Sequence, residues 1–229
     1  MKNPVMKHIW RSLTSLLLVF CCLPFNSQAL SAQEVWLMRD VFKTMPDSIV
    51  PYLSENNRLD MIDYMDSNMQ AEVKNGLDGK SMLRRLDTDY LSLHLNEASD
   101  IEMRLLPYAT LTPDSCSQVL CVVYTVGKTL RSSSVTFYSP KWLRLDAAQF
   151  AVPTGHVLAS RPDTMSVEHY EELSQIARSV IMEYRMEADS PQLTAIPHVL
   201  FVTPEERHSI SSILTTKSVK WNGFSFKKD

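Results

Sequence analysis

The chain has 229 residues, 45% apolar and 21% charged, with a formal charge of −3 and a pI near 6.1. An apolar fraction of that size excludes a wholly disordered chain, and twelve prolines against five glycines exclude collagen-like and glycine-linker classes. The acidic balance argues against the phosphate-neutralising surface of a nucleic-acid binder, and the length bounds the fold to one domain or two small ones.

Residues 1–29 carry Lys2, Lys7 and Arg11 with no acidic residue, followed by the apolar run Leu16, Leu17, Leu18, Val19, Phe20, Cys21, Cys22 and Leu23. This is the charged start and short apolar core of a secretory signal peptide. Pro24 breaks the run well short of the roughly 18 to 20 residues of a membrane-spanning helix, and no later apolar stretch is long enough either. Small residues at Ser27 and Ala29 place cleavage after Ala29, with Ala32 as second choice. A lipoprotein modified at Cys21 or Cys22 is the competing reading, and a retained anchor the third. Phe20 before Cys21 is a poor match to the small residue a lipidation site wants. The expected organisation is a leader at 1–29 and a single α+β domain at 30–229, exported to the periplasm or cell surface.

Removing the leader takes away three positive charges and no negative one, leaving 20 basic against 26 acidic residues and a formal charge of −6. It also leaves only Cys116 and Cys121. Five residues of extended chain would hold their Cα atoms about 16 Å apart, whereas a disulfide needs about 5.5 Å. Two buried free thiols are therefore expected, Cys121 acting as a small hydrophobe.

The first third of the mature chain reads helical. A short segment follows Asp47 through Leu53, and Asn57 with Asp60 resembles a capping box opening a second helix. Leu59, Ile62, Met65 and Met69 would form its apolar stripe, closed by Asn75-Gly76 and Asp78-Gly79. From about Leu86 to Phe150 the period becomes two. Leu91, Leu93 and Leu95 alternate with Tyr90, Ser92 and His94; Ile101, Met103 and Leu105 alternate with Glu102 and Arg104; Val135 and Phe137 alternate with Ser134, Thr136 and Tyr138. Val119 to Val126 is apolar on both faces and predicts a strand covered on both sides. Short connections make these strands an antiparallel meander.

In the last third, Ser166 caps a helix carrying Val167, Tyr170, Leu173 and Ile176, and 180–186 and 193–202 read as extended. Thr203-Pro204-Glu205-Glu206 starts another helix, with proline at the first helical position. Val219 and Trp221 lead into Asn222-Gly223 and out to Phe224 and Phe226, a hairpin with a two-residue type I′ turn whose aromatic face should bury against the main sheet. The fold class is α+β: an antiparallel meander with N-terminal helices and two short C-terminal-half helices packed on it, ending in a β-hairpin.

Glycines at 76, 79, 127, 155 and 223 are too far apart to build a phosphate loop, a dinucleotide fingerprint or a nucleophile elbow, so no cofactor is expected. The five mature histidines are scattered singly, no paired Cys-x-x-Cys occurs, and no metal is expected. Two candidate surfaces stand out. Asp60, Asp63 and Asp66 recur every three residues on the second helix, where neighbours could share a cation or divide acid and base roles; the plainer reading is the polar edge of that helix. His94 with Tyr90 and Ser92 forms a polar row on one strand face, a ligand surface or, more ordinarily, the solvent face of an edge strand. Met45, Met61, Met65, Met69, Met82 and Met103 could line an adaptable groove, although gap-filling in the core is the commoner use.

Met45-Pro46-Asp47-Ser48, Pro51-Tyr52-Leu53 and Asn56 through Asp63 resemble the N-terminal signature of an exported Bacteroidales family, domain of unknown function 3256. Gly79-Lys80-Ser81, Leu120 through Val123, Thr203-Pro204 and Lys220 through Gly223 extend the resemblance over nearly the whole mature chain. It implies location and lineage and transfers no activity, cofactor or catalytic residue. The function expected from all this is a non-enzymatic envelope module binding another envelope protein or an apolar ligand. The alternatives are a hydrolase with dispersed catalytic residues and, by analogy of architecture alone, a lipid or lipoprotein carrier.

Overall fold

In the computed structural model the described residues are 34–177, 180–199 and 203–227, and all fall within one compact unit. The expected leader at 1–29 lies outside them, as do residues 200–202 of the last extended segment.

Seven antiparallel strands follow one another in chain order, each paired with the next: β1 (Glu72–Lys74), β2 (Lys80–Leu86), β3 (Tyr90–Asn96), β4 (Ser99–Pro107), β5 (Gln118–Val126), β6 (Ser132–Tyr138) and β7 (Arg144–Leu145). A second antiparallel sheet holds β8 (Ile181–Met186), β9 (Gln192–His198), β10 (Lys217–Trp221) and β11 (Phe226–Lys227) in the order β11-β10-β9-β8. Helices α1 (Met38–Lys43) and α2 (Glu55–Asp66) precede the meander, and a 3₁₀ turn (Ala147–Phe150), α3 (Gly155–Leu158) and α4 (Val167–Ala177) separate the sheets. The last helix, α5 (Pro204–Ile213), sits between β9 and β10 and packs on α4 through Leu173, Ala177, Ile210 and Ile213.

Burial on both faces of β5 organises these layers. Leu120 and Val122 point into a core with Leu91, Leu93, Ile101 and Met103, closed by Met38, Val41 and Phe42 of α1 and Met61 and Ile62 of α2. Val119, Cys121 and Val123 point the other way, onto Phe137, Phe150, Tyr184, Leu193, Trp221 and Phe226. Trp221 and Phe226 thus do bury against the meander, but on the inner face of a second sheet, whereas Phe224, expected with them, is 53% exposed. Each such large apolar side chain removed from water contributes about 1.5–3 kcal/mol.

Several local expectations shift. Residues 47–53 form successive turns rather than a helix, with Ile49 N–H donating to Pro46 O and Leu53 N–H to Val50 O. Helix α2 begins three residues earlier than expected: Ser54 is its cap, its hydroxyl accepting from Asn57 N–H while Asn57 Oδ1 accepts from Ser54 N–H. The inward face is Arg58, Met61 and Ile62, whereas Leu59 and Met69 are exposed. Arg58 can face inward because it donates to both Asp47 Oδ1 (3.0 Å) and Leu53 O (2.8 Å), tying the preceding turns to the helix.

Asn75-Gly76 and Asp78-Gly79 close the β1–β2 hairpin instead of a helix. Asn75 Oδ1 accepts from Leu77 and Gly79 N–H, and Asn75 Nδ2 donates to Ser81 Oγ and Leu95 O. The last hairpin has a four-residue loop, because Trp221 pairs with Phe226. Asn222 Oδ1 accepts from Phe224 and Ser225 N–H and thereby stabilises the wider loop, with Gly223 at φ 95°. Elsewhere the expected starts hold: His169 N–H donates to Ser166 Oγ, and α5 opens at Pro204.

The revised face of α2 has a measurable consequence. Met61→Ala should destabilise the protein by about 2–5 kcal/mol in urea unfolding, whereas Leu59→Ala should stay within about 0.5 kcal/mol. Equal losses would contradict this helix orientation.

Candidate functional site

Register places the polar residues of the meander in rows running across its strands. Glu72 pairs with Met82, Met82 with His94, His94 with Asp100, Asp100 with Thr125, and Thr125 with Ser133. The neighbouring row is Ser92, Glu102, Val123 and Val135, and the next is Tyr90, Arg104, Cys121, Phe137 and Leu145. Polarity therefore falls along the strands, and β8 packs over β4, β5 and β6 where the rows turn apolar.

β3 is an interior strand, flanked by β2 and β4, so the expectation of an edge strand is corrected. Its polar face is also far from uniformly solvated. Tyr90 is buried, its hydroxyl donating to Glu102 Oε1 (2.9 Å), and its ring lies 4.9 Å from the Arg104 guanidinium carbon. His94 is half-buried, with Nδ1 2.7 Å from Asp100 Oδ1. Strand pairing thus brings Tyr90 and His94 onto one face. The helical carboxylates lie elsewhere: Asp60, Asp63 and Asp66 are all exposed on α2, and Asp66 accepts both guanidinium nitrogens of Arg39 on α1. That pairing ties two helices together. Among the described residues, no three His, Cys, Asp or Glu side chains gather as a metal ion would require.

The densest polar cluster joins the two sheets, and it includes Glu102 and Arg104 of the alternating polar face of β4. Arg131 donates to Asp100 Oδ2 (2.8 Å) and its Nε lies 3.1 Å from Glu183 Oε1. Glu183, buried on β8, also accepts from Arg185 (2.8 Å), and its Oε2 lies 2.9 Å from His198 Nε2 on β9. Glu102 Oε2 accepts from Met186 N–H (3.1 Å), and Ser133 Oγ accepts from Tyr184 N–H (3.0 Å). Two outward amides of edge strand β8 are thereby satisfied by side chains of the meander. Arg104 does the same for the β8–β9 turn, donating to Glu187 O (2.7 Å), Ala188 O (2.6 Å) and Asp89 Oδ2 (2.6 Å). No periodicity signals these partners, since Glu102 and Met186 are 84 residues apart.

Burial, helped by the nearby Asp100 charge, holds the Glu102 carboxyl above the usual range despite the two hydrogen bonds it accepts. Burial also opposes ionisation of Asp100 and Glu183. There the hydrogen bonds from His94 and Arg131, and from Arg185 and His198, outweigh it, and both pKa values fall below the ordinary range.

Beyond the reach of β8, the β1–β3 end of this face stays open. A depression of ≈ 470 Å³ there is lined by Glu72, Lys80, Met82, His94, Asn96 and Glu97. Lys80 is paired with Glu72 (2.6 Å) and Lys128 with Glu97, so the depression is polar with its charges largely matched. The methionines divide between roles: Met45, Met61 and Met103 are core, Met65 is partly buried, Met69 is exposed and Met82 lines the depression. Cys116 and Cys121 are buried free thiols, each raised in pKa by burial.

The opposite shifts predict opposite pH behaviour. The neutral form of Glu102 is favoured by folding, so its stabilising contribution is present below the ordinary carboxylate pKa of about 4.3 and is lost as pH rises through the raised folded value. Asp100 and Glu183 contribute above the ordinary range and lose that contribution as pH falls through their depressed values. Urea unfolding should accordingly show Glu102→Gln improving relative to the native chain between about pH 4 and pH 8, while Asp100→Asn loses ground as pH rises from about 2 to about 5 and stays level above that. Parallel curves for both variants would refute the assignments.

Comparison with known proteins places this architecture. A search of curated proteins finds no match. The fold resembles a solved structure described as a domain of an uncharacterized protein from Porphyromonas gingivalis W83, with a TM-score of 0.67 at 19% identity over 86% of this chain and 99% of that one. The family model described as "Protein of unknown function (DUF3256)" matches residues 27–226. That match takes in both sheets, the helices and the open polar face, and the chain belongs to the DUF3256 family.

Proposed function

We propose that the chain is an exported cell-envelope protein and a non-enzymatic binding module, with the open β1–β3 face as the surface that meets an envelope protein. The observation that carries this reading is the asymmetric cover of the meander. One face is closed by α1 and α2 and the other by β8 over β4–β6, while the row through Met82 and His94 continues into an open polar depression. Its matched charges around a central methionine suit a protein surface more than an apolar small molecule. Export is supported by the Lys2, Lys7 and Arg11 start with its short apolar run, and by a family match that begins at residue 27, close to the expected cleavage site.

Hydrolysis is favoured by one feature, the 2.7 Å approach of His94 and Asp100. Asp100 is also shared with Arg131 and lies 3.3 Å from Arg84, so its charge is committed to structural partners as well as to the imidazole.

A photo-crosslinking amino acid at Met82 should yield a discrete adduct in intact cells, and one at Glu171 on the exposed face of α4 should not. No adduct at Met82, or the same adducts at both positions, would sink the binding surface. Mass spectrometry of the natural protein should find Leu30 as the first residue; a lipid-modified Cys21 or Cys22 would replace secretion with a lipoprotein.

A further inference from the structure

A second cavity, remote in sequence from the β1–β3 face, opens between the β4–β5 loop and the segment running from β7 into the 3₁₀ turn. Here the aromatic core between the sheets lies directly beneath the surface, with Tyr108 partly exposed above it. Phe150 is 1% exposed, its ring 4.3 Å from Phe137 and 5.8 Å from Trp221, and Tyr108 meets it edge-on at 6.1 Å. Leu111, Pro113 and Leu145 continue an apolar wall around ≈ 320 Å³. Leu111 is 55% exposed, and Leu143, beside Arg144 in the chain, is 44% exposed.

Arg144 lines the same cavity. The described strands carry five arginines, and four lie within ion-pair distance of a carboxylate: Arg84 with Asp100, Arg85 with Asp87, Arg104 with Asp89, and Arg185 with Glu183. Arg144 has no such partner among the described residues. Asp146, also on the cavity, is engaged elsewhere, its Oδ1 accepting from Ala148 N–H (3.0 Å) at the start of the 3₁₀ turn.

We propose that this cavity binds a free medium-chain fatty acid, its carboxylate on the Arg144 guanidinium and its tail against Phe150, Tyr108 and Leu145. A guanidinium matches a carboxylate through two parallel hydrogen bonds, and the aromatic floor favours a tail withdrawn from water. The nearby Asp146 charge opposes a doubly charged head such as a phosphate about twice as strongly as a singly charged carboxylate. The volume lies at the lower end of small-ligand sites, the range a single medium-length acyl chain needs.

Isothermal titration of the full chain with decanoate, decanol and butyrate, all below micellar concentrations, tests the assignment. Saturable decanoate binding is expected, with decanol and butyrate each weaker by about tenfold or more. Arg144→Gln should weaken decanoate by about tenfold and leave decanol unchanged. Arg144 is exposed on a two-residue edge strand, so the variant should unfold like the native chain. Absence of saturable binding, equal affinity for decanoate and decanol, or indifference to Arg144→Gln would each overturn the proposal. Because Met82 crosslinking reads a different surface, failure of either idea leaves the other standing.

Discussion

A strand that is apolar on both sides must be covered twice, and β5 imposes that condition on the whole protein. Leu120 and Val122 require one cover, Val119, Cys121 and Val123 another. A single sheet with helices on one side would leave the second set in water, losing about 25 cal/mol for every Å² of apolar surface left exposed. The helices α1 and α2 supply the first cover and the sheet β8–β11 the second. The second is narrower than the meander it lies on, and where it stops the polar ends of β1, β2 and β3 stay accessible. The open face thus arises from a mismatch between a seven-stranded and a four-stranded layer.

Bringing two sheets together near their polar ends buries charge, and the junction meets that cost by pairing. Glu183 meets Arg131, Arg185 and His198, and the terminal nitrogens of Arg104 donate to two carbonyls and Asp89 while its buried Nε has no partner. Removing one partner from a buried pair generally costs about 3–5 kcal/mol, while replacing the whole set by apolar residues often costs little. Such groups specify geometry more than they add stability. Tyr90, with Arg104 4.9 Å and Arg85 5.8 Å from its ring centroid, serves the same end: Arg85 continues to Asp189 and Arg104 to the carbonyls of Glu187 and Ala188, holding the β8–β9 turn.

Alternation made the faces of β3, β4 and β5 readable in advance, because Leu91, Leu93 and Leu95 or Val119 through Val126 depend only on a local period of two. The α+β class and the meander follow from the same signal. Placing Tyr90 and His94 on a common face was equally local. What covers that face was not, since Glu102 meets Met186 and Arg131 meets Glu183 across dozens of residues without a pattern in the chain. The phase of α2 departs from its hydropathy pattern because Arg58 is buried through Asp47 and Leu53 O, a compensation invisible to hydropathy. Asp66 differs from Asp60 and Asp63 in being bound by Arg39, 27 residues earlier, which no three-residue spacing could reveal. The orphan guanidinium of Arg144 likewise becomes evident only once the partners of the other strand arginines are known.

The side-chain acceptors along β8 also order the assembly of the chain. Ser133 receives the amide of Tyr184 and Glu102 that of Met186, and these two acceptors stand on β6 and β4, brought side by side only through β5. The seat for β8 therefore does not exist until three strands of the meander have paired, and every one of those pairings is between sequence neighbours. Sliding β8 by two residues would leave the Glu102 carboxylate facing a different amide and Ser133 another, so the seat reads position as well as presence. A chain made from its N-terminus completes the template before the strand that docks on it has been synthesised.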